Sequence, residues 1–524
     1  MSRTHKRRPK TTGNNIVHLA LVAFSMLSQY VWIVLLGLSL AGKYVWIQAA
    51  GALLSLIMVL AIYNKRKNAA IKMPWIIVIL AAPYLGIPLY LVFGLSGWTT
   101  KLRKQYARID KEVKALLPEN IPTLDHLQAV DPAAAGTFHY LQSHCGFPSY
   151  ENSNVHYYSN PCDTLEDMLT DLAKAEKYIF LEYFAIEDRT AFGRIKDVLQ
   201  ERAANGVLVR IFYDEVGSVS FINKGFIEEM ELLGFECRVF NPTVPMLKVF
   251  LNNRDHRKIM VIDGKIAYTG GFNLADEYFN ITHPYGHWKD SGLRIEGDAV
   301  QTFTALCLEM WNASEASDLT DMKPYFQSVP KITRSILSDA LPATGVLCPY
   351  GDSPLDEENT GEIVYMNLLN YAKKYAWFST PYLIITDELL NSFVLAAKRG
   401  VDVRIITPRI PDKKLIFGVT RSYYGPLVSA GIHIYEYVPG FIHAKQCVVD
   451  DTIAACGTIN LDYRSLYHHF EDGVLLYGND AVRDIREDFS NLFPLCEDVT
   501  EEYTGKGAAM RLGQSVLRIF APLL

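Results

Sequence analysis

The sequence contains the pattern His-x-Lys-x4-Asp twice, and each copy follows a similar series of short apolar runs. The six residues of the two copies are His256, Lys258 and Asp263, then His443, Lys445 and Asp450. The copies lie about the length of one α/β domain apart. A chain that repeats itself over this distance is expected to fold as two similar halves.

Ahead of each motif the sequence predicts the order strand, helix, strand. The first half has apolar runs at 177–183 and 207–213, and the second half has matching runs at 375–382 and 401–407. The helical stretch between the runs ends in glycine both times, which is a typical helix stop, and β-branched runs are typical of strands. Strands that alternate with helices indicate α/β architecture. We therefore expect two pseudo-symmetric α/β/α domains that face each other.

Length and composition divide the chain into four parts. A chain of 524 residues is too long for one ordinary hydrophobic core. We place a membrane region at 1–98, a basic juxtamembrane linker at 99–135, and the two α/β domains at 136–335 and 336–524. The join between the domains falls in a stretch rich in proline, glycine and polar residues that ends near Thr360.

Three long segments near the N-terminus lack charged residues. No Lys, Arg, Asp or Glu occurs in residues 16–41, 44–63 or 73–95, and each segment is close to the ~20 residues that cross a bilayer. Buried helices of a water-soluble core would show a polar stripe, which these segments lack. The sequence therefore predicts N-terminal transmembrane helices and a multi-pass protein of the cell membrane.

The positions of basic residues predict the orientation of these segments. Basic clusters lie at 3–10, 65–72 and 101–108, whereas Lys43 alone lies between the first two segments. By the positive-inside rule, the first two segments form a hairpin with both ends in the cytoplasm. The third segment contains three prolines, which break helices. We expect it to enter the bilayer and return, or to lie at the interface, which leaves the catalytic part in the cytoplasm.

Three other stretches have two readings each. Residues 101–114 are basic with interleaved apolar side chains, so they form either a solvated helix face or a segment attracted to anionic headgroups, at roughly 1 kcal/mol per basic residue. The apolar stretches 246–251 and 415–417 either admit acyl chains or pack into the core.

Charge and cysteine content argue against two classes of protein. The formal charge of -6 gives none of the basic footprint of a nucleic-acid-binding protein, so we expect no nucleic acid partner. The 8 cysteines form no CxxC pair, which argues against a zinc site of that kind and against a disulfide framework. We expect isolated buried thiols and a reducing, cytosolic environment for most of the chain.

The two motifs supply what phosphodiester chemistry without a metal needs. Residues two apart in a strand point to the same face, so His256 projects with Lys258, and His443 with Lys445. Two histidines can act as nucleophile and acid when one is neutral and the other protonated. Two lysines and nearby asparagine side chains can hold the phosphate oxygens. We predict a phosphodiester-processing enzyme that needs both halves, no metal and no cofactor.

The last residue of each motif has a structural reading beside the catalytic one. Asp263 and Gly264 form a strong hairpin-turn pair, so we expect Asp263, and likewise Asp450, to serve the turn more than the chemistry. Small residues and one asparagine follow each turn, and these asparagines, Asn273 and Asn460, are candidate supporting residues.

At these motifs the sequence resembles the phospholipase D superfamily, and more closely its bacterial cardiolipin synthases. The likeness covers nearly the whole chain. It is carried by the membrane-region run 82–90, by 271–273 and 288–290 after the first motif, by 457–465 after the second, and by the C-terminal run 517–524.

The resemblance implies an enzyme that joins two phosphatidylglycerol molecules into cardiolipin and releases glycerol. His256 would carry the phosphatidyl group, and His443 would act first as an acid and then as a base. The carboxylates that orient these histidines in relatives match Asp290 in the first half and Glu471 in the second. Where many relatives have Asn-x-Glu, this chain has His469, Phe470 and Glu471, so any phosphate contact of that asparagine is in doubt.

Several functions stay open beside this one. A hydrolytic phospholipase D would use the same residues with water as the acceptor, and another phosphatidyltransferase would differ only in headgroup. The acidic balance and the membrane segments disfavour a nuclease, and two intact motifs disfavour a catalytically silent membrane scaffold. The expected partners are phosphatidylglycerol and anionic membrane lipids, and the sequence predicts no oligomeric state.

Overall fold

A computed structural model describes most of the chain. The described residues are 24, 27–28, 30–32, 34–40, 42–65, 68–94, 100–223, 225–241, 253–315, 321–326, 345–356, 358–504, 517–518 and 521. The basic cluster at 3–10, part of the first apolar segment and the apolar stretch 246–251 lie outside these residues.

The described chain forms helices up to residue 143 and then alternates strands with helices. The helices are α1 (Val45–Tyr63), α2 (Ala69–Ala81), α3 (Pro83–Leu89), α4 (Thr100–Lys114), α5 (Ile121–Val130), α6 (Pro132–Ser143), α7 (Pro161–Leu172), α8 (Thr190–Ala204), α9 (Glu215–Ser218), α10 (Phe226–Leu232), α11 (Val300–Ser314), α12 (Thr360–Tyr371), α13 (Asp387–Lys398), α14 (Lys414–Ser422), α15 (Tyr424–Val428), α16 (Tyr463–Tyr467), α17 (Asp480–Leu492) and α18 (Thr500–Tyr503). The strands are β1 (Ser153–Tyr158), β2 (Tyr178–Tyr183), β3 (Leu208–Asp214), β4 (Glu236–Phe240), β5 (Arg254–Asp255), β6 (Lys258–Ile262), β7 (Ile266–Gly270), β8 (His287–Lys289), β9 (Gly292–Gly297), β10 (Val346–Asp352), β11 (Tyr375–Ser379), β12 (Leu383–Ile384), β13 (Asp402–Pro408), β14 (His433–Tyr437), β15 (Gly440–Ile442), β16 (Gln446–Val449), β17 (Ile453–Gly457), β18 (Leu461–Asp462), β19 (His469–Tyr477) and β20 (Cys496–Asp498).

The N-terminal region is helical and apolar. Helix α1 has the length and the hydropathy needed to cross a bilayer, and large side chains such as Trp46 and Leu53 are exposed on it. Residues Tyr30–Leu40 and helix α2 are shorter apolar helices. Within the described residues, one helix therefore meets the criteria for a span. The second span and the cytoplasmic orientation stay predictions.

The third apolar segment consists of two helices that fold back on each other. Helix α2 ends before Ala82, whose backbone is not helical (φ -145°, ψ 76°), and Pro83 begins α3. Gly86 allows the close approach, because a Cβ there would lie 2.7 Å from backbone atoms of Val78 and Ile79. The path of this helix pair through a bilayer stays a prediction.

Helix α4 attaches the start of the basic segment to the rest of the protein. Tyr106, Ile109 and Val113 share one side of the helix and are buried, while Lys104 and Arg108 lie on the exposed side. The ring of Tyr106 lies 5.3 Å from that of Phe470 in the second half. The apolar residues therefore pack against the catalytic body. Attraction of the exposed basic residues to anionic headgroups stays a prediction.

Two sheets form the centre of the two halves. The first has seven strands in the order β1-β9-β7-β6-β2-β3-β4, and β2, β3 and β4 are parallel. The second runs β10-β19-β17-β16-β11-β13-β14-β20, and β11, β13 and β14 are the parallel set. The motif strands β6 and β16 occupy equivalent places, each antiparallel to the first strand of its parallel set. The predicted α/β repeat is confirmed.

The side chains on the two faces of the first sheet pack into two different hydrophobic cores. Ile179 and Leu181 pack with helices α7 and α8, whereas Phe180 and Ile259 face a larger core that continues through α11 into the second half. Because this larger core is shared, the halves pack as one body. All eight cysteines lie in the described ranges and are free thiols, six of them buried, which confirms the expectation of isolated thiols.

The predicted strand ends are accurate to a few residues. Strand β11 ends at Ser379, three residues earlier than predicted, because Pro381 lacks the N–H that a central strand needs. The next two paired residues, in β12, join β18 instead of continuing the sheet.

Asp263 and Asp450 hold the hairpin turns that follow the motif strands. Both adopt left-handed backbone conformations, with φ of 54° and 53°. The Asp263 carboxylate accepts the N–H groups of Glu176, Lys177 and Tyr178 at 2.7–2.9 Å. The Asp450 carboxylate accepts three N–H groups at the start of β11 in the same way. Each aspartate lies a strand length, roughly 16 Å, from its motif lysine, which places it outside the chemistry.

Replacing Asp450 by alanine should therefore destabilise the fold without changing the site. Three backbone donors lose their acceptor, and we expect a loss of about 2–4 kcal/mol, seen as a lower unfolding temperature of the full chain in detergent. Asp451→Ala is the matched control, because Asp451 is also left-handed (φ 57°) but is half-exposed and bonds the Tyr375 hydroxyl. Equal effects of the two substitutions would contradict this role.

Candidate active site

The four histidine and lysine side chains of the motifs are buried at the start of the motif strands. His256 and His443 are 7% and 6% exposed, and Lys258 and Lys445 are 0% and 1% exposed. Lys258 Nζ donates to the His256 carbonyl oxygen, and Lys445 Nζ donates to that of His443. Each histidine and lysine of a motif therefore project together, as the strand period predicts. Strands β6 and β16 are buried throughout and give the pairs a rigid base.

Each histidine is held by the opposite half of the molecule. The His256 N–H donates to the Phe470 carbonyl at 2.9 Å, and both Glu471 carboxylate oxygens lie 2.9 Å from His256 Nδ1. In the other half, the His443 N–H donates to the Lys289 carbonyl at 2.7 Å. His443 Nδ1 lies 2.8 Å from Asp290 Oδ2, so the same arrangement is repeated around the pseudo-twofold axis.

Short cross-half strands produce this exchange. Strand β5 of the first half pairs with β19 of the second, and β8 of the first pairs with β15 of the second. Asp290 and Glu471 match the predicted supporting positions, but each one orients the histidine of the other half. The sequence gives no signal for this exchange, because strands of two or three residues show no periodic pattern.

The two carboxylates have different surroundings. Asp290 accepts from the Trp288 indole N–H and the Ser291 backbone N–H. A Cβ at Gly271 would collide with Asp290, so glycine is needed there. At the equivalent place in the second half, Thr458 donates its hydroxyl to Glu471 Oε2 at 2.6 Å. Gly271 and Thr458 are site residues that the motif pattern alone did not identify.

Burial governs the protonation of the histidines. Burial lowers the pKa of His443 to about 4, with Lys445 adding to the effect, and burial with Lys258 and Lys445 holds the pKa of His256 well below its usual range. Burial alone would raise the pKa of Asp290, but His443 and Lys445 outweigh it, so that pKa is lowered and the carboxyl is ionised. Both imidazoles are therefore neutral. Each Nδ1 faces a carboxylate, and His443 Nδ1 also lies 2.7 Å from Lys445 Nζ.

The lysines lose part of their charge for the same reason. Burial lowers the pKa of Lys258 to about 8 and that of Lys445 to about 7. An anion placed between these side chains would offset the cost of burying their charge. Binding of a phosphate group would therefore favour the protonated, positively charged form of both lysines.

The two asparagines after the motifs are not equivalent. Asn273 accepts from the Ala185 N–H and donates to the Tyr278 hydroxyl, so it fixes the wall of the site beside His443. Asn460 is buried, and its Oδ1 has no hydrogen-bond partner among the described residues. Only Asn460 has an amide oxygen left available for a ligand.

His469 adds a third imidazole to the site. Its ring lies 5.3 Å from that of His256, and its Nδ1 lies 3.5 Å from Glu471 Oε1. Ligand atoms of His256, His469 and Glu471 lie within 4.8 Å of one another, a set that could bind a divalent cation. Lys258 and Lys445 oppose a cation there, so the charges favour an anionic phosphate.

Comparisons with known proteins identify the family of the chain. The family model described as "Cardiolipin synthase, PLD-like domain" matches residues 168–307 and 365–493, once in each half. A second model, described as "Phospholipase D-nuclease N-terminal", matches residues 52–94. The first model covers about half of the chain and includes the histidine and lysine of both motifs.

Individual proteins are similar over most of their length. An uncharacterised protein of Streptococcus mutans is 39% identical over 470 residues, which are 89% of this chain and 99% of that protein. A cardiolipin synthase of Geobacillus thermodenitrificans is 32% identical over 474 residues, which are 90% of this chain and 91% of that protein. The crystal structure of a phosphatidylserine synthase of Haemophilus influenzae shares the fold, with a TM-score of 0.51, 15% identity, and coverage of 71% of this chain and 93% of that one. The chain belongs to the cardiolipin synthase family of phospholipase D-like proteins.

The lysine pKa values predict how the site binds a simple oxyanion. Above pH about 7–8 the free site loses ammonium charge, so affinity for sulfate, a dianion throughout this range, should fall as the pH rises. Lys445→Arg should flatten this dependence, because a guanidinium stays charged. Calorimetric titration of the full chain with sodium sulfate measures both. Binding that strengthens with pH in the unsubstituted protein would contradict the assignment.

Proposed function

We propose that this member of the cardiolipin synthase family transfers the phosphatidyl group of one phosphatidylglycerol to the glycerol headgroup of a second, giving cardiolipin and glycerol. The observation that carries the proposal is the closed set of two buried histidines, each oriented by a carboxylate of the opposite half, with two lysines beside them. The apolar N-terminal helices support a lipid substrate.

In the first step, His256 Nε2 attacks the phosphorus, while His256 Nδ1 keeps its proton and donates it in a hydrogen bond to Glu471. The bond between phosphorus and the departing glycerol oxygen breaks, and His443 donates a proton to that oxygen. The low pKa of His443 keeps it neutral before substrate binds, so it must gain this proton when the anionic substrate binds. The negative charge of the phosphodiester opposes the effect of Lys445 and raises the affinity of His443 for the proton.

In the second step, a hydroxyl of the second phosphatidylglycerol attacks the phosphorus of the phosphatidyl-histidine. His443, now neutral, takes the hydroxyl proton on Nε2, and the phosphorus–nitrogen bond to His256 breaks. His256 returns to its starting state. His443 has given one proton to glycerol and taken one from the acceptor hydroxyl, so it is again protonated, as it was when the first lipid was bound. Lys258 and Lys445 hold the non-bridging oxygens in both steps.

A product assay tests the reaction class. Incubating the full chain in detergent with phosphatidylglycerol should give cardiolipin and glycerol in equal amounts. His256→Ala and His443→Ala should each lower the rate by about 10³-fold or more. His433→Ala, an exposed histidine at the far side of the second sheet, is the matched control and should keep the rate. Phosphatidic acid as the sole product would assign a hydrolase instead.

The exchanged carboxylates predict that two substitutions fail at different steps. A phosphatidyl ester of p-nitrophenol needs no acid for its departure, so the first step depends on His256 and not on His443. Asp290→Asn should then release one equivalent of p-nitrophenol per enzyme and stall with the histidine modified. Glu471→Gln should lose this burst, with the first step slowed by about 10²–10⁴-fold.

If each carboxylate oriented the histidine of its own half, the two substitutions would give the opposite result. Asp290→Asn would then lose the burst and Glu471→Gln would keep it. Mass spectrometry of the peptide that contains His256 identifies the modified residue in the stalled enzyme.

A further inference from the structure

The N-terminal helices are fixed to the second half at a defined point. Asn68 caps helix α2, and its Nδ2 donates to Glu388 Oε2 at 2.7 Å and to the Tyr467 hydroxyl at 3.4 Å. Ile71, in the first turn of α2, is buried in the core shared by both halves. Lys72 Nζ donates to the Tyr63 carbonyl and so ties the start of α2 to the end of α1. We call residues 68–72 the foot of the apolar helices. The foot is therefore attached to the catalytic body.

This attachment lies at the end of the second sheet where strand β11 finishes and strand β16 begins. We call this end of the strands the catalytic edge. Ser379, the last residue of β11, pairs with Gln446, the first residue of β16, so His443 and Lys445 lie at this edge. The chain leaving β11 starts helix α13 at the same edge, and Glu388 is in the first turn of that helix. The reacting histidines and the foot of the apolar helices consequently share one edge of the sheet.

Basic and apolar side chains are exposed together on the turn that leaves neighbouring strand β13 at this edge. Leu415 is 61% exposed and Ile410 39%, and Lys413 and Lys414 are exposed between them. Later in helix α14, Val419 and Thr420 are buried against the body. We call residues 410–415 the membrane face.

The membrane face borders the active site. Lys413 Nζ lies 3.0 Å from the Tyr382 hydroxyl, and Tyr382 packs against the core of the first half. Burial, with Lys258 and Lys445, has the largest effects on the pKa of His256, and Lys413 is among the further positive charges that lower it. A substrate that reaches the histidines from this side passes the membrane face.

We propose that the membrane face docks on the headgroup layer of the anionic bilayer that holds the N-terminal helices, so that the active site opens onto that leaflet. Leu415 and Ile410 bury apolar surface among the lipids. Lys413 is paired with Asp412 of the same face at 2.9 Å, so Lys414 supplies the net positive charge that meets the anionic headgroups. The apolar helices beside this face and the joint basic and apolar character of the face favour a bilayer over a protein partner. The inference rests on the proposed function for the identity of the substrate.

Fluorescence quenching tests the docking directly. Leu415→Cys is labelled with an environment-sensitive dye, in a background with Cys162→Ser and Cys496→Ser, and the full chain is placed in phosphatidylglycerol nanodiscs. The dye should shift to the blue and be quenched by spin-labelled lipid. Leu395→Cys is the matched control: Leu395 is also an exposed leucine, 55%, but it lies in the later turns of α13, toward the opposite edge. It should show neither change.

Two results would overturn the docking. One is a dye at Leu415 that is unquenched, or quenched no more than the dye at Leu395. The other is a blue shift in detergent that grows with protein concentration, which would assign the face to contact between two copies of the chain. Neither measurement needs turnover, so docking with no cardiolipin formed would separate failure of the proposed function from failure of this inference.

A kinetic comparison gives an independent readout. Leu415→Asp should lower the ratio of the rate on bilayer phosphatidylglycerol to the rate on monomeric short-chain phosphatidylglycerol by about tenfold, the factor expected for one leucine that no longer inserts. Leu395→Asp should leave the ratio unchanged. An equal loss on both substrates would show a general defect of the site and contradict the docking.

Discussion

The exchange of carboxylates between the two halves determines how the rest of the structure is organised. Glu471 and Asp290 are 0% exposed, and each bonds the histidine of the opposite half. An isolated half would leave each histidine without the carboxylate that orients it. The shared core and the pairing of β5 with β19 join the same halves. The site and the fold therefore depend on one interface.

Successive side chains of a motif strand point to opposite faces, so the charged groups of the site and the charged groups that stabilise the fold lie on different sides of the strand. His256 and Lys258 point into the site, while Arg257 between them points the other way and bonds Glu309 at 3.2 Å. Arg257 is 1% exposed but fully engaged, and its Nε also donates to the Glu471 carbonyl. The lysines have no such carboxylate bonded to Nζ in the described structure, and burial lowers their pKa. On the proposed function, a phosphate ligand takes the role that Glu309 has for Arg257.

The sequence predicted the repeated elements well, because each half shows the strand period, glycine helix stops and a hairpin after the motif. It also predicted that Asp263 belongs to a turn, since Asp-Gly pairs favour hairpins. The exchange of Asp290 and Glu471 was not predictable, because it depends on two-residue and three-residue strands whose partners are remote in sequence. The contact of Tyr106 with Phe470 was missed for the same reason.

The attachment at Asn68 gives the proposed transfer a constraint that two α/β halves alone would lack. A lipid acceptor and water compete for the same phosphatidyl-histidine, and the chemistry of His443 serves both. Two conditions favour the lipid as the acceptor. The buried histidines are in contact with little water, and the attached foot and the docked membrane face keep lipid headgroups close to the histidines. The foot fixes one side of the body and the membrane face lies beside the site, so the two contacts together limit tilting. On these proposals, the ratio of cardiolipin to phosphatidic acid depends on docking as well as on the histidines.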